Sequence, residues 1–296
     1  MNRLRIRLIH IHQCRGITRR TIRKFIRYDP TLESIYKLSS TQISQLFSIT
    51  TRNASLFYND LHQQDNTQFK DNLKTYKIIT VVDDCYPYVL KTIKDAPLVL
   101  YAMGNTDLLN KIPTISVIGT RKPSQDAALK MVKYVLPLIK REWVIVSGMA
   151  TGIDSLAHQL ALKNNGKTIA VLGSGFKHIY PKHNTHLSHQ IVQHGLVLSE
   201  YPPDTPPERY RFPERNRLIS GLSFGTLVIE ATEKSGTLIT VDQALDQGRE
   251  VYAVPGSPLI PQTRGCHKMI QDGAKLVLDV EDILEDWDIL SSNWCI

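Results

Sequence analysis

The chain has 296 residues and a formal net charge of +8, with a sequence pI of about 9.2, so it is long enough for one large or two modest domains and favours an acidic partner. No apolar run approaches the roughly 18 residues of a transmembrane helix, and the charges interleaved through the first residues are unlike a signal peptide. The four cysteines lack CxxC spacing, which predicts a reduced, cytoplasmic protein with neither a disulfide framework nor a zinc site.

Residues 1–72 are predicted to form a small helical domain. Nine Lys and Arg side chains and a single acid, Asp29, precede Pro30. The segment CRGITRRTIRKFI predicts a turn at Gly16 and then a helix with Ile22 and Phe25 on one face. Two interpretations stay open for this basic module. It contacts nucleic-acid backbone, or it carries a solvated basic face, which the sequence slightly favours.

A polar segment, residues 56–74, is predicted to be a linker region, and the pattern changes after it. The runs KIITVV and LVLYAMG predict short strands, and Pro87 interrupts the pattern between them. We assign these strands to a second domain, residues 76–288. A separate hairpin is the alternative.

From Ile115 onward, apolar strands alternate with amphipathic helices. This alternation predicts an α/β fold, a parallel sheet with helices on both faces, preceded by the helical domain. The predicted strands are ISVIG, WVIVSG, TIAVLG, LVLSE, TLVIEA and EVYAVPG.

Polar and glycine-containing loops follow several of these strands. Three of them are GTRKPS (119–124), SGMATGID (147–154) and VLGSG (171–175). In an open α/β sheet, ligands bind outside the carboxyl ends of the strands, where glycine permits close approach of the backbone. The loops therefore predict one ligand site at that edge of the sheet, although each glycine loop alone is equally typical of a tight turn.

Residues 209–239 combine the strongest signals. Four arginines come first, a short helical pattern and the strand TLVIEA follow, and the loop TEKSGT opens the next helix. The unpaired N–H groups of a helix start attract anions, and arginines bind phosphate, so the stretch predicts a polyanion ligand.

The acids and histidines do not predict an enzyme. Asp154, Glu200 and Glu230 lie among cations, where carboxylates more often orient arginines or cap helices than act as an acid and base pair. The histidines of residues 178–194 do not form HExxH, and GMATG and GTRKPS do not form GxSxG. We therefore expect no catalytic residue, no metal and no cofactor.

Taken together, these motifs resemble the DNA-processing protein A family, also called the Smf family. The resemblance covers roughly residues 80–280 and rests above all on FPERNRLISGLS followed by EATEKSGTLIT. Further matching segments are GTR, SGMATGID, VLGSG with YPKHN, SEYPPDTPP, GREVYAVPG and RGCHKMIQDGA. Residues 125–127 and 265–267 depart from the family's usual pattern.

The resemblance implies an extended Rossmann-like domain that binds single-stranded DNA, forms a homodimer and helps to load the RecA recombinase during natural transformation. It also implies a sterile-alpha-motif-like N-terminal domain. We expect no C-terminal winged-helix module, because the chain stops soon after VEDILEDW, and no membrane association.

With this resemblance, we predict the residues that hold DNA phosphates. They share a place at the carboxyl edge and an amide, hydroxyl or cationic group: Gly119, Thr120, Arg121, Ser147, Gly148, Gly173, Gly175, Lys182, Arg209, Arg215, Asn216, Arg217, Ser235, Gly236 and Thr237. An aromatic side chain near this edge could stack on a base or could pack in the core. The candidates are Phe176, Tyr180, Tyr210 and Phe212.

Two other functions are weighed against DNA binding. One is a nucleotide-processing hydrolase, since related Rossmann-like families that cleave nucleoside monophosphates look similar at the strand and SGT loop. Those families carry a Pro-Gly-Gly loop and a Glu pair, whereas this chain has Glu230-Ala231 and Leu238-Ile239 there, which argues against hydrolysis. The other is an interaction protein with a vestigial site. For the homodimer, the apolar faces of Ser220–Ile229 and of the helix TLITVDQALDQG are predicted contacts.

Overall fold

The computed structural model describes residues 3–63 and 67–294. The chain divides into two compact units. A helical unit comprises Met1–Tyr86 with Pro97–Tyr101, and a sheet unit comprises Pro87–Ala96 with Ala102–Ile296. The domain limits read from the sequence, 1–72 and 76–288, stay a prediction, because compactness does not establish which segment folds on its own.

The helical unit contains five helices, one strand and the start of a second strand. Its elements are α1 (Arg3–Gln13), α2 (Arg19–Tyr28), α3 (Ser40–Phe47), α4 (Thr51–Leu61), α5 (Thr67–Thr75) and β1 (Lys77–Thr80), and β2 (Val99–Gly104) begins in it. The predicted helix after Gly16 is present as α2, with Ile22 and Phe25 buried. The expected linker at 56–74 is wrong for its described residues, most of which belong to α4 and α5.

Side-chain caps explain where three of these helices begin. Thr18 and Ser39 form capping boxes with the third residues of α2 and α3, and the Thr50 hydroxyl accepts from the Asn53 amide at the start of α4. The helices bury apolar side chains against one another, and Phe25 packs against the rings of Phe47 and Phe57. This core lies between α2, α3 and α4.

The sheet unit alternates strands and helices in chain order. Its elements are α6 (Tyr88–Lys91), β3 (Thr114–Gly119), α7 (Ala127–Tyr134), α8 (Leu136–Lys140), β4 (Val144–Ser147), α9 (Ile153–Lys163), β5 (Thr168–Leu172), α10 (Thr185–His194), β6 (Leu196–Ser199), α11 (Arg211–Gly221), β7 (Gly225–Glu230), α12 (Thr237–Asp246), β8 (Glu250–Ala253), α13 (Pro261–Gln271), β9 (Lys275–Leu276) and α14 (Glu281–Leu290). All six predicted strands are confirmed, as β3 to β8. The strand β9, only two residues long, was not predicted.

Seven parallel strands of this unit pair in the order β6-β5-β4-β3-β7-β8-β9. The chain moves outward from β3 to β6 and then returns to β7 on the other side of β3, so the order reverses between β3 and β7. Such a switch point opens a crevice at the carboxyl ends of the strands, where ligands of α/β proteins bind.

Both faces of this sheet are buried, as an α/β fold requires. On one face, Ile115, Ile145 and Leu227 pack with apolar residues of α7, α8, α9 and α14. Side chains that alternate with these, such as Val146 and Val228, are also fully buried. The predicted class, a parallel sheet with helices on both faces, is confirmed.

Candidate nucleic-acid interface

A pocket of about 230 Å³ lies at the carboxyl ends of β3, β4 and β5. The loops that follow these strands contribute to it together with the first half of α11. Its lining combines cationic, aromatic and small side chains: Arg121, Met149, Ala150, Thr151, Gly173, Tyr180, Pro181, His183, Phe212 and Arg215.

Arg215 is the buried cation of this pocket. It is only 5% exposed, and its Nη1 donates to the carbonyl of Val171 in β5. Burial lowers the pKa of the guanidinium, and the Asp154 carboxylate opposes that change. Burial likewise raises the pKa of Asp154, and Arg215 opposes it. Each group therefore stabilises the charge of the other in a place that water hardly reaches.

The pair leaves hydrogen-bonding capacity unused. Among the described residues, the buried Nε of Arg215 has no hydrogen-bond partner. A buried N–H without a partner is costly, and a ligand oxygen could satisfy it. Arg215 thus brings a positive charge and an unused hydrogen-bond donor to the residues that line the pocket.

The loop after β4 fits closely around this pair. A Cβ at Gly148 would come within 2.4 Å of the Arg215 guanidinium and the Asp154 carboxylate, so a side chain there would displace one of these two groups. The Gly148 carbonyl accepts from Nε2 of His158, 2.6 Å away. Because burial lowers the pKa of His158 to about 4, the ring is neutral and holds the loop without adding charge.

Three further predicted cations lie at the surface. Arg121 is exposed and lines the pocket beside Arg215. Lys182 is exposed and stands between Pro181 and His183, which line the pocket, but does not line it itself. Arg209 is exposed in the segment that precedes α11.

Two aromatic side chains form one wall of the pocket. The ring centroids of Tyr180 and Phe212 are 5.5 Å apart, with 47° between the planes. Gly173 lies against this wall, since a Cβ there would come within 2.7 Å of Phe212 Cδ1. Of the other two aromatic candidates, Tyr210 is exposed beside Arg211, and Phe176 packs against a hydrophobic cluster.

Some predicted site residues support the fold instead of facing the pocket. Arg217 is buried and its Nη2 lies 2.7 Å from both oxygens of Glu200, so its charge is already paired. Ser147 is fully buried and donates to the Val117 carbonyl. Gly175 donates to the Thr205 carbonyl. The predicted phosphate contacts do not fit the surroundings of Arg217 and Ser147.

The remaining predicted residues are near strand ends but outside the pocket lining. Gly119 is the last residue of β3, and the amide of Thr120, which follows it, donates to the Glu230 carbonyl. Asn216 is half-buried beside Arg215. In the SGT loop, the Ser235 hydroxyl accepts from the Thr237 amide, and Gly236 is exposed.

The acids at the strand ends are engaged with cations or backbone. Glu230 is fully buried and accepts from Lys130 at 2.6 Å and from the Ser124 hydroxyl at 2.5 Å. Glu200 pairs with Arg217, as described above. Within residues 3–63 and 67–294, no group of His, Cys, Asp or Glu is arranged to hold a metal ion.

Several residues of the pocket loops were not among the predicted contacts. Met149, Thr151 and His183 line the pocket. Asn184 connects two of its loops. The Asn184 amide donates to the Met149 carbonyl at 2.8 Å and to the Ser155 hydroxyl at 2.9 Å. The segment YPKHN contains His183 and Asn184, but only its lysine, Lys182, carries the positive charge that predicts a phosphate contact.

The strand order, the glycine loops and the pocket define a Rossmann-like α/β protein with a cationic, aromatic pocket at the carboxyl ends of its strands. Residues 77–288 match the family described as DNA recombination-mediator protein A, and the chain belongs to this family. The resemblance inferred from the motifs is thereby confirmed.

Similarity to individual relatives extends over most of the chain. It is 41% identical over 273 residues to DNA processing protein DprA of Streptococcus pneumoniae, covering 92% of this chain and 95% of that protein. It is 47% identical over 201 residues to DNA processing protein DprA of Bacillus subtilis, covering 68% of each.

Two solved structures are similar as well. The structure of DprA from Streptococcus pneumoniae superposes with a TM-score of 0.81 at 40% identity, covering 96% of this chain and 97% of that one. A structure of DNA processing protein A from Helicobacter pylori, described for its single-stranded DNA binding mode, gives a TM-score of 0.65 at 29% identity, covering 72% of this chain and 95% of that one. In the described part of the chain, no helix is long and apolar enough to cross a membrane.

Proposed function

We propose that this protein binds single-stranded DNA in the pocket at the carboxyl ends of β3, β4 and β5, and acts as a recombination mediator. The observation that carries the proposal is the pairing of two arginines with an aromatic wall in one pocket. A nucleotide of a single strand presents a phosphate and an unpaired base, and these two groups match Arg121 with Arg215 and Tyr180 with Phe212.

The cations proposed to contact the phosphates differ in how deeply they are buried. Arg215 supplies a fixed charge and an unpartnered Nε, while Arg121 adds an exposed charge at the same pocket. Lys182 and Arg209, exposed near the pocket loop and α11, are proposed to contact the backbone on either side. Since phosphates are identical along a strand, such contacts carry little sequence information.

The base is proposed to stack on Phe212 and Tyr180. A single-stranded base exposes its π-face, whereas bases of a duplex remain stacked on one another, so this wall favours single strands. The Helicobacter pylori relative is described as a single-stranded DNA binder, which agrees with this proposal. The wall lies beside Arg215, so one nucleotide could reach both.

The decisive experiment compares two aromatic residues two positions apart. Phe212→Ala should weaken binding of an oligothymidylate at least about fivefold, since stacking is worth roughly 1–3 kcal/mol per base. Tyr210→Ala is the matched control, because Tyr210 is exposed and outside the pocket lining. Equal affinities of Phe212→Ala and the parent in fluorescence anisotropy would exclude the pocket.

In recombination, the proposed role is to hold incoming single strands and help to place the RecA recombinase on them during natural transformation, in the cytoplasm. Support comes from the family description as a recombination mediator. The test is RecA filament formation on DNA covered by single-strand binding protein. The parent should accelerate it, and Phe212→Ala should not.

A non-catalytic role fits the engagement of the strand-end acids. Glu230 is held by Lys130 and Ser124, and Asp154 faces Arg215. Incubation with AMP should release no free base. Release that is lost on Glu230→Gln would instead establish the nucleotide hydrolase.

A further inference from the structure

We propose that the helical unit carries a second binding surface for single-stranded DNA, the basic face of α2 formed by Arg20, Lys24 and Arg27. The identification of its ligand as DNA rests on the proposed function, whereas the surface is separate from the pocket. Charge, helix geometry and an internal repeat of this unit support this surface.

Positive charge is concentrated in this part of the sequence. Residues 1–86 contain 14 Lys and Arg against 7 Asp and Glu, which accounts for +7 of the chain's +8. Between Arg15 and Arg27 there are six cations and no acid. The helical unit is therefore the more strongly basic part of the protein, although the pocket lies in the sheet unit.

The nearby carboxylates are used by other cations. Asp83 pairs with Arg5, Glu33 with Arg7 and Lys37, and Asp60 with Arg15. The Asp29 side chain accepts hydrogen bonds from the segment after α2, which lower the pKa of its carboxyl. Within the described residues, none of these acids forms an ion pair with the basic face of α2.

The three cations of the basic face share one side of the helix. Their spacing of four and three residues puts them in a row, and all three are exposed. Lys24 also donates to the Phe47 carbonyl, which fixes its position. Tyr28, 51% exposed, follows Lys24 by one turn and adds a ring beside the charges. A row of cations with a neighbouring aromatic ring suits a single strand.

The start of α2 is repeated 32 residues later at α4. Gly16 and Ser48 both have positive φ, 79° and 54°, and are followed by the capping residues Thr18 and Thr50. Arg20 and Arg52 then occupy the same second position of their helices, and both are exposed. The two turns thus present a cation in the same local geometry.

A cation in the first turn opposes the helix dipole, which is positive at that end, and α2 has no acid there. The backbone amides of the first turn and the Arg20 side chain therefore both add positive potential at the N-terminus of α2. This repulsion lowers the stability of the isolated helix. A bound polyanion removes this cost. The basic face of α2, with Arg52 as the repeated position, fits phosphates better than it fits an uncharged partner.

Two binding sites in one chain strengthen the binding of a strand that is long enough to occupy both, because the second binding event becomes intramolecular. A strand too short to occupy both sites does not gain this increase. This difference in length dependence makes the proposal testable.

The test uses the full chain with the triple substitution Arg20→Gln, Lys24→Gln and Arg27→Gln. The control removes the same charge from exposed lysines of the sheet unit by Lys140→Gln, Lys163→Gln and Lys167→Gln. Binding of a 30-nucleotide and a 6-nucleotide oligothymidylate is measured over a salt series. A second variant, Arg20→Gln with Arg27→Gln, keeps the Lys24 hydrogen bond in case the triple variant loses structure.

We expect the basic-face variants to bind the long oligonucleotide about tenfold more weakly and the short one unchanged. The salt slope for the long one should fall by about two units for three lost phosphate contacts. The control should bind the long oligonucleotide within about twofold of the parent. Equal losses in the control, or none in the basic-face variants, would overturn the proposal. So would stronger competition by polyglutamate than by unlabelled oligothymidylate of equal charge, which would point to an acidic protein partner.

Failure of the pocket has a different signature. If Arg121→Ala with Phe212→Ala binds both oligonucleotides like the parent while the basic-face variants lose the long one, the proposed pocket is wrong and the basic face stands. A second outcome supports both sites. In it, the pocket variant and the basic-face variants bind the long oligonucleotide more weakly, and only the pocket variant binds the short oligonucleotide more weakly.

Discussion

At the scale of single residues, two arginines separated by one position in α11 have different surroundings. Arg215 lines the pocket, whereas the Nη2 of Arg217 is paired with Glu200, although the Nε of each arginine has no hydrogen-bond partner among the described residues. Both were predicted phosphate contacts, because the sequence shows the guanidinium but not its partner. The partner of Arg217 comes from the end of β6, seventeen residues away.

Arg217→Ala should lower the free energy of unfolding by about 3–5 kcal/mol, because it leaves the buried Glu200 charge unpaired. The affinity of the remaining folded protein for single-stranded DNA should stay within about twofold of the parent. Urea denaturation and anisotropy measure the two quantities. Arg209→Ala is the control for stability, since an exposed substitution should change it by less than about 0.5 kcal/mol. A large loss of affinity for single-stranded DNA with an unchanged free energy of unfolding would show that Arg217 contacts DNA.

Arg121→Ala and Lys182→Ala test the exposed predicted cations. Each should reduce single-strand affinity and lower the salt slope by roughly one unit for any DNA sequence, with unchanged melting temperature. Arg141→Ala, exposed on the same unit, is the control. If both substitutions leave the slope unchanged, these residues are not DNA contacts.

His158 predicts a dependence of stability on pH. Burial lowers its pKa from 6.5 to about 4, so the unfolded chain binds a proton in a range where the folded protein does not. The stability from the neutral ring is fully present above about pH 6.5 and is lost as the pH falls through 4. The shift corresponds to a total of about 3 kcal/mol.

His158→Gln should therefore reduce the loss of stability between pH 7 and pH 5 by about 2 kcal/mol. Urea titrations followed by tryptophan fluorescence report on the sheet unit, because the chain's three tryptophans lie in it. His189→Gln, on the exposed side of α10, should retain the parent's pH dependence. An identical pH dependence for both variants would show that His158 does not titrate in this way.

At the scale of elements, α12 offers the better candidate for the proposed homodimer. Of the two predicted contacts, the stretch Ser220–Ile229 is buried within the protein and has no apolar face left to offer. Helix α12 exposes Ile239 and Leu245, by 40% and 59%. The strand pattern predicted apolar residues correctly, but only packing decides whether they face the same chain or a partner.

Leu245→Glu should convert a dimer to a monomer, because a charge in an apolar interface must be desolvated. Multi-angle light scattering over a concentration series gives the mass. Leu129→Glu is the matched control, since Leu129 is 71% exposed on α7. A dimer that persists in Leu245→Glu, or a parent that is monomeric throughout, would contradict this assignment.

The elements differ in how far the sequence predicted them. Between β3 and β4 the structure has two helices, α7 and α8, with Pro137 in the first turn of α8, where the missing N–H does no harm. The six strands were predictable because parallel strands buried on both faces need continuous apolar runs.

At the scale of the whole molecule, binding should be strongly dependent on salt and should favour single strands over duplex. A protein that neutralises several phosphates releases their counterions, so the logarithm of affinity falls linearly with the logarithm of salt concentration. Isotherms with single- and double-stranded oligonucleotides of equal length test both expectations. A flat plot would exclude a polyanion site, and tighter duplex binding would exclude the stacking wall.

The sequence by itself determined the α/β class, the family and the edge of the sheet at which the pocket lies. These features depend on local patterns, namely apolar runs, glycine loops and their order, which are present before folding. It also placed Arg121, Gly173 and Arg215 among the site residues, and all three line the pocket.

Only the tertiary structure decided which polar groups remain available to a ligand. Arg217 and Glu200 neutralise each other, Ser147 donates to a neighbouring strand, and Phe212 meets Tyr180 from another loop. The physical reason is that pairing and burial depend on contacts between residues far apart in sequence. Those contacts decide whether a charged side chain is free or paired. The position of the residue in the sequence does not reveal them.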